Sequence, residues 1–351
     1  MNRDSGRMEW LDAMRGFTMI LVVAYHVAQF SFLQNIKTSA SLPFLVLFRM
    51  PLFFFVSGFL SYKANFVLTP KSFFGLTWKK IKIQVFPAVI FLCVFLIFKG
   101  KAPFADAFMR CMYSSTKGGY WFTWVLLQMF VIYYIVAIIS AKLRSNIPIW
   151  ILWVVCLLGY LSLYMPKEFG YWYRTDIMRY MSFFQTIKFM HFFVFGNLVH
   201  RYWERSEKLM DGKWLFPLLV IIAFLSCADF FKWHFLRMEW TNLPKTLAMY
   251  SLMMIVIFFF RCYRESLSKE TRIGSVLQYI GVRTLDIYLL HFIFLPKLPM
   301  VGEWLNNYHP NFVIDIIASI GISSVVIIFC LLTSNILRIS PFLKEYLFGR
   351  K

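Results

Sequence analysis

The chain has 351 residues, of which 60% are hydrophobic and 15% charged, whereas a soluble domain carries about 25% charged residues. That shortfall, together with repeated long apolar runs, excludes an ordinary soluble enzyme and places the chain among polytopic membrane proteins. The formal net charge of +20 would point to nucleic acid in a soluble protein; here the basic residues cluster at the ends of apolar runs, where positive-inside topology and anionic headgroups account for them, so no nucleic-acid partner is expected.

Ten apolar segments of spanning length or near it run in order through residues 16–34, 42–62, 83–98, 122–140, 148–165, 183–203, 214–230, 244–260, 279–298 and 311–337. The third and eighth are short and are expected to begin earlier, with basic side chains snorkelling. No polar stretch is long enough for a separate soluble domain. The expected fold is therefore an all-α integral membrane protein of about ten transmembrane helices in one bundle, a single domain over residues 1–351. Basic residues are denser in the connections that a cytoplasmic N-terminus would place inside (Lys63, Lys71, Lys142, Arg144, Arg201 and Arg205 among them), which predicts both termini in the cytoplasm. The six cysteines are scattered without a CxxC pair, so neither disulfide nor metal chemistry is expected. The first apolar run lacks a small-residue cleavage site and ends in bulky Phe30 and Phe32, which predicts an uncleaved first helix.

That first segment, WLDAMRGFTMILVVAYHV, carries Arg15 and His26. Eleven residues make about three helical turns, so both side chains share a face about 16 Å apart along the axis. An ionisable group at mid-membrane is costly. A neutral His26 beside a hydroxyl can act as a general base, or it can pack by hydrogen bonding to a neighbouring helix. Arg15 can clamp a phosphate through its guanidinium fork, snorkel to headgroups, or pair with Asp12 three residues earlier. In the second segment, LFRMPLFFFVSGFLSY, Arg49 needs a partner or a polar cavity, while Ser57 and Gly58 suit either a ligand or a close helix contact. Lys79, Lys80 and Lys82 form a basic cluster at the entrance of the third segment and suit either a nucleotide-like anion or a plain positive-inside flank.

Trp121 and Trp124 open the fourth segment as interfacial anchors or cavity lining, and Gln128 is polar within the span. His191 lies at membrane depth in the sixth segment, and His200 at its end is expected on the surface. The ninth reads YIGVRTLDIYLLHFIF; Arg283 and Asp286 are spaced to pair, and Tyr288 and His291 share the same spacing. The outer connections 99–121 and 166–182 hold Tyr and Trp residues that serve either as a sugar platform or as an interfacial belt.

Five of these motifs, in order, resemble the membrane-bound acyltransferase family 3, within the transmembrane acyltransferase superfamily: LDAMRG with its Arg-x10-His pair, MPLFFFVSGF (50–59), WFTW (121–124), FFVFGNL (192–198) and TLDIYLLH (284–291). Family members often carry an arginine shortly before the proline that opens the third helix; here Lys82 is the nearby basic residue before Pro87. The chain looks like the stand-alone form, without a fused esterase-like domain. The resemblance implies transfer of an acyl group, most often acetyl, from an acyl-CoA donor to a hydroxyl on a cell-surface glycan or glycolipid, in a bacterial inner membrane. His26 would serve as general base or acyl carrier, with Arg15 also in the catalytic set. Arg15, Arg49, Ser57 and the lysine cluster would hold the donor, and Trp121, Trp124, Gln128, His191, Arg283, Asp286, Tyr288 and His291 would line the acceptor cavity. The expected partners are the lipid bilayer, acyl-CoA and the glycan acceptor. A non-enzymatic exporter of a glycan, lipid or acylated metabolite is the competing reading. The sequence names neither the acceptor, the acyl chain nor the oligomeric state.

Overall fold

The computed structural model describes residues 8–64, 68–99, 102–162, 175–230, 242–307 and 311–348; residues 166–174 of the expected outer stretch lie outside them. Among the described residues seventeen α-helices follow one another: α1 Glu9–His26, α2 Leu42–Phe59, α3 Pro70–Lys80, α4 Phe86–Lys99, α5 Phe104–Tyr113, α6 Trp121–Lys142, α7 Ile147–Ser162, α8 Asp176–Tyr180, α9 Phe183–Arg201, α10 Trp203–Met210, α11 Leu215–Phe230, α12 Asn242–Cys262, α13 Arg272–Val282, α14 Thr284–Phe294, α15 Pro299–Asn307, α16 Phe312–Leu337 and α17 Pro341–Phe348. The described residues contain no strand.

Among the described residues six helical stretches are long and apolar enough to cross a bilayer, and eight if the bent pairs α10–α11 (79°) and α14–α15 (91°) each count as one span. Within the described residues each of the ten expected segments falls on a helix, residues 163–165 of the fifth lying outside them, but length and composition alone do not bring the count to ten. α7, with 16 residues, is shorter than the ~20 a span needs, and α9 interrupts its apolar face with Gln185, Lys188, His191 and Asn197.

The third segment begins before its apolar run, as expected: it starts at Pro70, capped by Thr69 and Ser72, and runs to Lys99 through a π turn at Ile81–Val85. Pro87 has no N–H and crowds the preceding turn, so a wider turn just before it relieves the register. The ninth is not one helix. It breaks at Arg283, and α14 stops at Leu295, which is extended because Pro296 follows it.

The chain divides into two compact units, one formed by Met1–Phe53, Lys208–Trp240 and Pro244–Leu332, the other by Phe54–Glu207, Thr241–Leu243 and Thr333–Lys351. In the first unit, α1 packs along α13 backbone against backbone. A Cβ on Gly16 would stand 1.9 Å from the Leu277 carbonyl oxygen, and one on Gly281 1.8 Å from that of Asp12. Both positions therefore admit only glycine. Another face of α1 meets α2, α12 and α16 through Leu21, Leu45 and Phe48, flanked by Phe17, Tyr25, Phe44, Leu252, Val256 and Ile316. Buried Asp315, in the first turn of α16, accepts from the Ser39 hydroxyl at 2.5 Å and from the Ser41 N–H at 3.0 Å, a favourable place for a carboxylate near a helix N-terminus.

In the second unit the end of α2 crosses α9 as closely: a Cβ on Gly58 would lie 1.7 Å from the Phe193 carbonyl oxygen, and one on Gly196 2.0 Å from that of Phe55. Gly58 is thus a packing residue. Between α5 and α6, Lys117 takes a positive φ of 47° and is buried. Its ammonium donates to the carbonyls of Met112, Ser114 and Tyr180, and Tyr113 donates to Asp176. Burial pushes the Lys117 amine down to about 8.

Candidate active site

α1 is buried along most of its length, yet Tyr25 and His26 at its end keep an open edge. The α-helix stops at His26 and a π turn, Val27–Ser31, continues it. Such single wide turns gather at functional sites. His26 Nδ1 lies 2.8 Å from Nε2 of His291, which is wholly buried on α14. The two rings are 12° from coplanar with centroids 4.9 Å apart. Because that separation exceeds the nitrogen–nitrogen distance by about two ring radii, the rings meet edge to edge, as a hydrogen bond requires.

The far side of His291 decides which nitrogen carries each proton. Its Nδ1 lies 2.8 Å from the Tyr288 carbonyl oxygen and 3.1 Å from that of Ile287. A carbonyl only accepts, so His291 Nδ1 bears the proton and, in the neutral ring, Nε2 is bare. His26 Nδ1 must then donate to it. The remaining His26 nitrogen, Nε2, is left with its lone pair. This assignment follows from the hydrogen-bond network. The His26 ring is flanked by Phe292 at 4.9 Å, Tyr25 at 5.5 Å and Phe30 at 5.8 Å between centroids, a largely apolar surround for a base.

Arg49 is the second element. It is buried, only 8% exposed, with its guanidinium carbon 3.5 Å over the Tyr25 ring and its Nε without a hydrogen-bond partner. Among the described residues no carboxylate forms an ion pair with it. Measured from the shared Tyr25 centroid, the 3.5 Å and 5.5 Å separations put this cation within about 9 Å of the His26 ring. A buried charge without a counter-charge is expensive, and a stacked aromatic face offsets part of that cost.

Arg15 is partly exposed. Its Nη1 lies 3.3 Å from Asp12 Oδ1, and its Nη2 donates to Thr284 Oγ1 at 3.1 Å. The guanidinium thereby ties α1 to the first residue of α14. The neighbouring Arg283 sits 5.0 Å over the Tyr279 ring, and Asp286 and Tyr288 are buried along α14. Tyr288 meets His291 mainly through its backbone carbonyl, with the rings 6.1 Å apart.

The remaining candidates belong to the second unit. Lys80 lies 3.8 Å over the Phe130 ring and Lys82 5.5 Å over that of Trp78, while Lys79 is exposed. Ser57 is half-buried. Trp121 stacks on Phe189 at 5.8 Å beside Phe54, and Trp124 keeps a buried indole N–H without a partner. Gln128 spends both ends of its amide inside the protein, donating to the Met181 carbonyl at 2.5 Å and accepting from Thr186 at 2.8 Å. His191 is buried against Tyr160, ring centroids 5.0 Å apart. His200 is not the surface residue its position suggested: it stacks on Phe59 at 4.2 Å, and its Nδ1 lies 2.6 Å from the Phe59 carbonyl oxygen.

Several apolar spans define a multi-pass integral membrane protein, and a hydrogen-bonded histidine pair sits within it. The profile of an acyltransferase domain, that of acyltransferase family 3, matches residues 8–335, nearly the whole chain. The chain belongs to this family and is a membrane acyltransferase. No curated protein and no solved structure matches it.

Proposed function

We propose that the protein moves an acyl group, acetyl by preference, from acyl-CoA to a hydroxyl of a cell-surface glycan or glycolipid in a bacterial inner membrane, with His26 as general base. The observation that carries this reading is the 2.8 Å contact between His26 and His291, because it leaves His26 Nε2 as the open proton acceptor. His26 Nε2 removes the proton from the acceptor hydroxyl, and the oxygen attacks the thioester carbonyl carbon. The tetrahedral centre collapses with cleavage of the carbon–sulfur bond. The imidazolium returns its proton to the departing thiolate, so His26 ends as it began.

His291 acts on the acceptor through His26. It holds the imidazole in one tautomer and orientation and accepts a stronger hydrogen bond once the ring is charged. Arg49 is better suited to the reacting carbonyl than to the donor's phosphates. Coenzyme A carries its phosphates at the far end of a long arm from the thioester, whereas Arg49 is within about 9 Å of the His26 ring. A preorganised cation there stabilises the developing oxyanion. Arg15, about 16 Å away along α1, would take the phosphate end. A non-enzymatic exporter draws no support from membership of an acyltransferase family.

The test uses purified protein, acetyl-CoA carrying a labelled acetyl group and a cell-envelope extract as acceptor. Acceptor-dependent release of coenzyme A is expected from the wild type, and its loss from His26→Ala with the protein still folded. Wild-type turnover in His26→Ala would overturn the role of His26.

A further inference from the structure

We propose a phosphate-binding pocket in the second unit, formed where α2, α6 and α9 end. The C-terminal ends of these three helices converge on a polar cavity of about 270 Å³. Three cations line it: Lys63 after α2, Arg144 after α6 and Arg201 at the end of α9. None of the lining residues is acidic.

Two details make this more than a basic flank. Arg201 is held in place, donating to Asn146 Oδ1 at 2.8 Å with its guanidinium 4.5 Å over the Tyr62 ring, while its Nε is buried without a partner. It is therefore aimed and still has donor capacity. Arg144 is held at a positive φ of 48°, its N–H bonded to the Ala141 carbonyl oxygen at 3.2 Å, so the turn carries this cation to the cavity edge. Positive-inside topology accounts for basic residues at helix ends. It does not by itself gather three of them around one polar cavity that, among the described residues, no carboxylate lines; an anion there would relieve the mutual repulsion that water and the helix ends relieve only in part.

Size narrows the anion. Cavities that enclose whole drug-sized ligands run to about 300–1,000 Å³, so this one fits a phosphorylated head rather than a complete large cofactor. Guanidinium forks favour phosphate oxygens by bidentate bonding. A phosphate group can come from a soluble nucleotide or from a lipid headgroup. Neither source requires the acyl-CoA reading above.

The experiment measures binding without turnover. Purified full-length protein is titrated calorimetrically with adenosine 3′,5′-bisphosphate and with inorganic phosphate. In parallel it is placed in phosphatidylcholine nanodiscs with and without phosphatidic acid, and retained lipid is measured. The variant is Lys63→Gln combined with Arg144→Gln; both side chains are exposed, so folding is expected to survive. At least a tenfold loss of affinity in the variant is expected for one class of probe. Loss for the bisphosphate assigns a soluble nucleotide, and loss confined to phosphatidic acid assigns a headgroup. Equal binding by wild type and variant for every probe overturns the pocket. Probe binding lost in the variant, with no turnover of acyl-CoA by the wild type, leaves the pocket standing and removes the proposed donor.

Discussion

Replacing His291 by alanine isolates what the histidine pair contributes. The substitution deletes the acceptor that sits 2.8 Å from His26 Nδ1 and frees the imidazole to rotate and change tautomer. In the ground state this is a bond between neutral partners, worth about 1 kcal/mol; once His26 holds the acceptor's proton the bond is to a charged donor, worth about 1.5–3 kcal/mol. Only the difference, about 0.5–2 kcal/mol, is felt in the transition state alone, and at about 1.4 kcal/mol per decade it corresponds to a two- to thirtyfold fall in kcat. Deleting the base itself, in His26→Ala, is expected to cost about 10²–10⁴. Because His291 acts only through His26, the double variant should be no slower than His26→Ala alone. His291→Gln, which offers an amide oxygen to His26 Nδ1, should recover most of the rate. The assay is acceptor-dependent coenzyme A release, with melting temperature followed to show that the buried site tolerates the change. Additive losses in the double variant, or no recovery with His291→Gln in a folded protein, would refute a positioning role.

Arg15→Ala removes the partly exposed ion pair to Asp12 and the hydrogen bond to Thr284, each worth about 1 kcal/mol; stabilisation by acetyl-CoA in a thermal-shift assay should fall far more than the melting temperature of the free protein, and unchanged stabilisation would exclude the phosphate role. Gly281→Ala drives a methyl to within 1.8 Å of the Asp12 carbonyl oxygen, and overpacking of this kind costs at least about 1–3 kcal/mol, so a lower melting temperature and loss of activity are expected together. For Lys117, burial lowers the folded-state amine from 10.5 to about 8. The folded state therefore releases the proton first, and this residue makes the wild type gain stability as pH rises from about 8 to 10.5. Lys117→Met should flatten that part of the melting-temperature profile, and an unchanged slope would show that the amine does not titrate there.

The helical class and the order of the elements were legible because apolar runs and polar breaks are dictated locally. Arg15 and His26 stood out for the same reason: a charged stripe on an apolar helix is costly wherever it packs. The partnership of His26 with His291 was not legible, since 265 residues separate them and spacing rules join only neighbours on one helix. They linked His291 to Tyr288 instead and missed that the backbone carbonyl is the contact. The break at Arg283 is hidden because both halves of the ninth segment are apolar. Lys63, Arg144 and Arg201 were visible only as topology markers, since nothing along the chain says that three connections converge. Gly58 was legible as half of a choice between ligand and packing, and a carbonyl 1.7 Å from where its Cβ would be decides for packing.

The π turn after His26 separates two demands on the chain that a regular helix would couple. Upstream, the interval from Arg15 to His26 must stay at eleven residues for both side chains to share a stripe. Downstream, the Ser31 carbonyl accepts the Leu298 N–H at 2.9 Å, and Gly302 presses on Phe32. In an unbroken α-helix, any change that improved one phase would spoil the other. The wide turn at Val27–Ser31 takes up the phase difference between them, so the contacts of Ser31 and Phe32 do not dictate the register of the Arg15–His26 stripe.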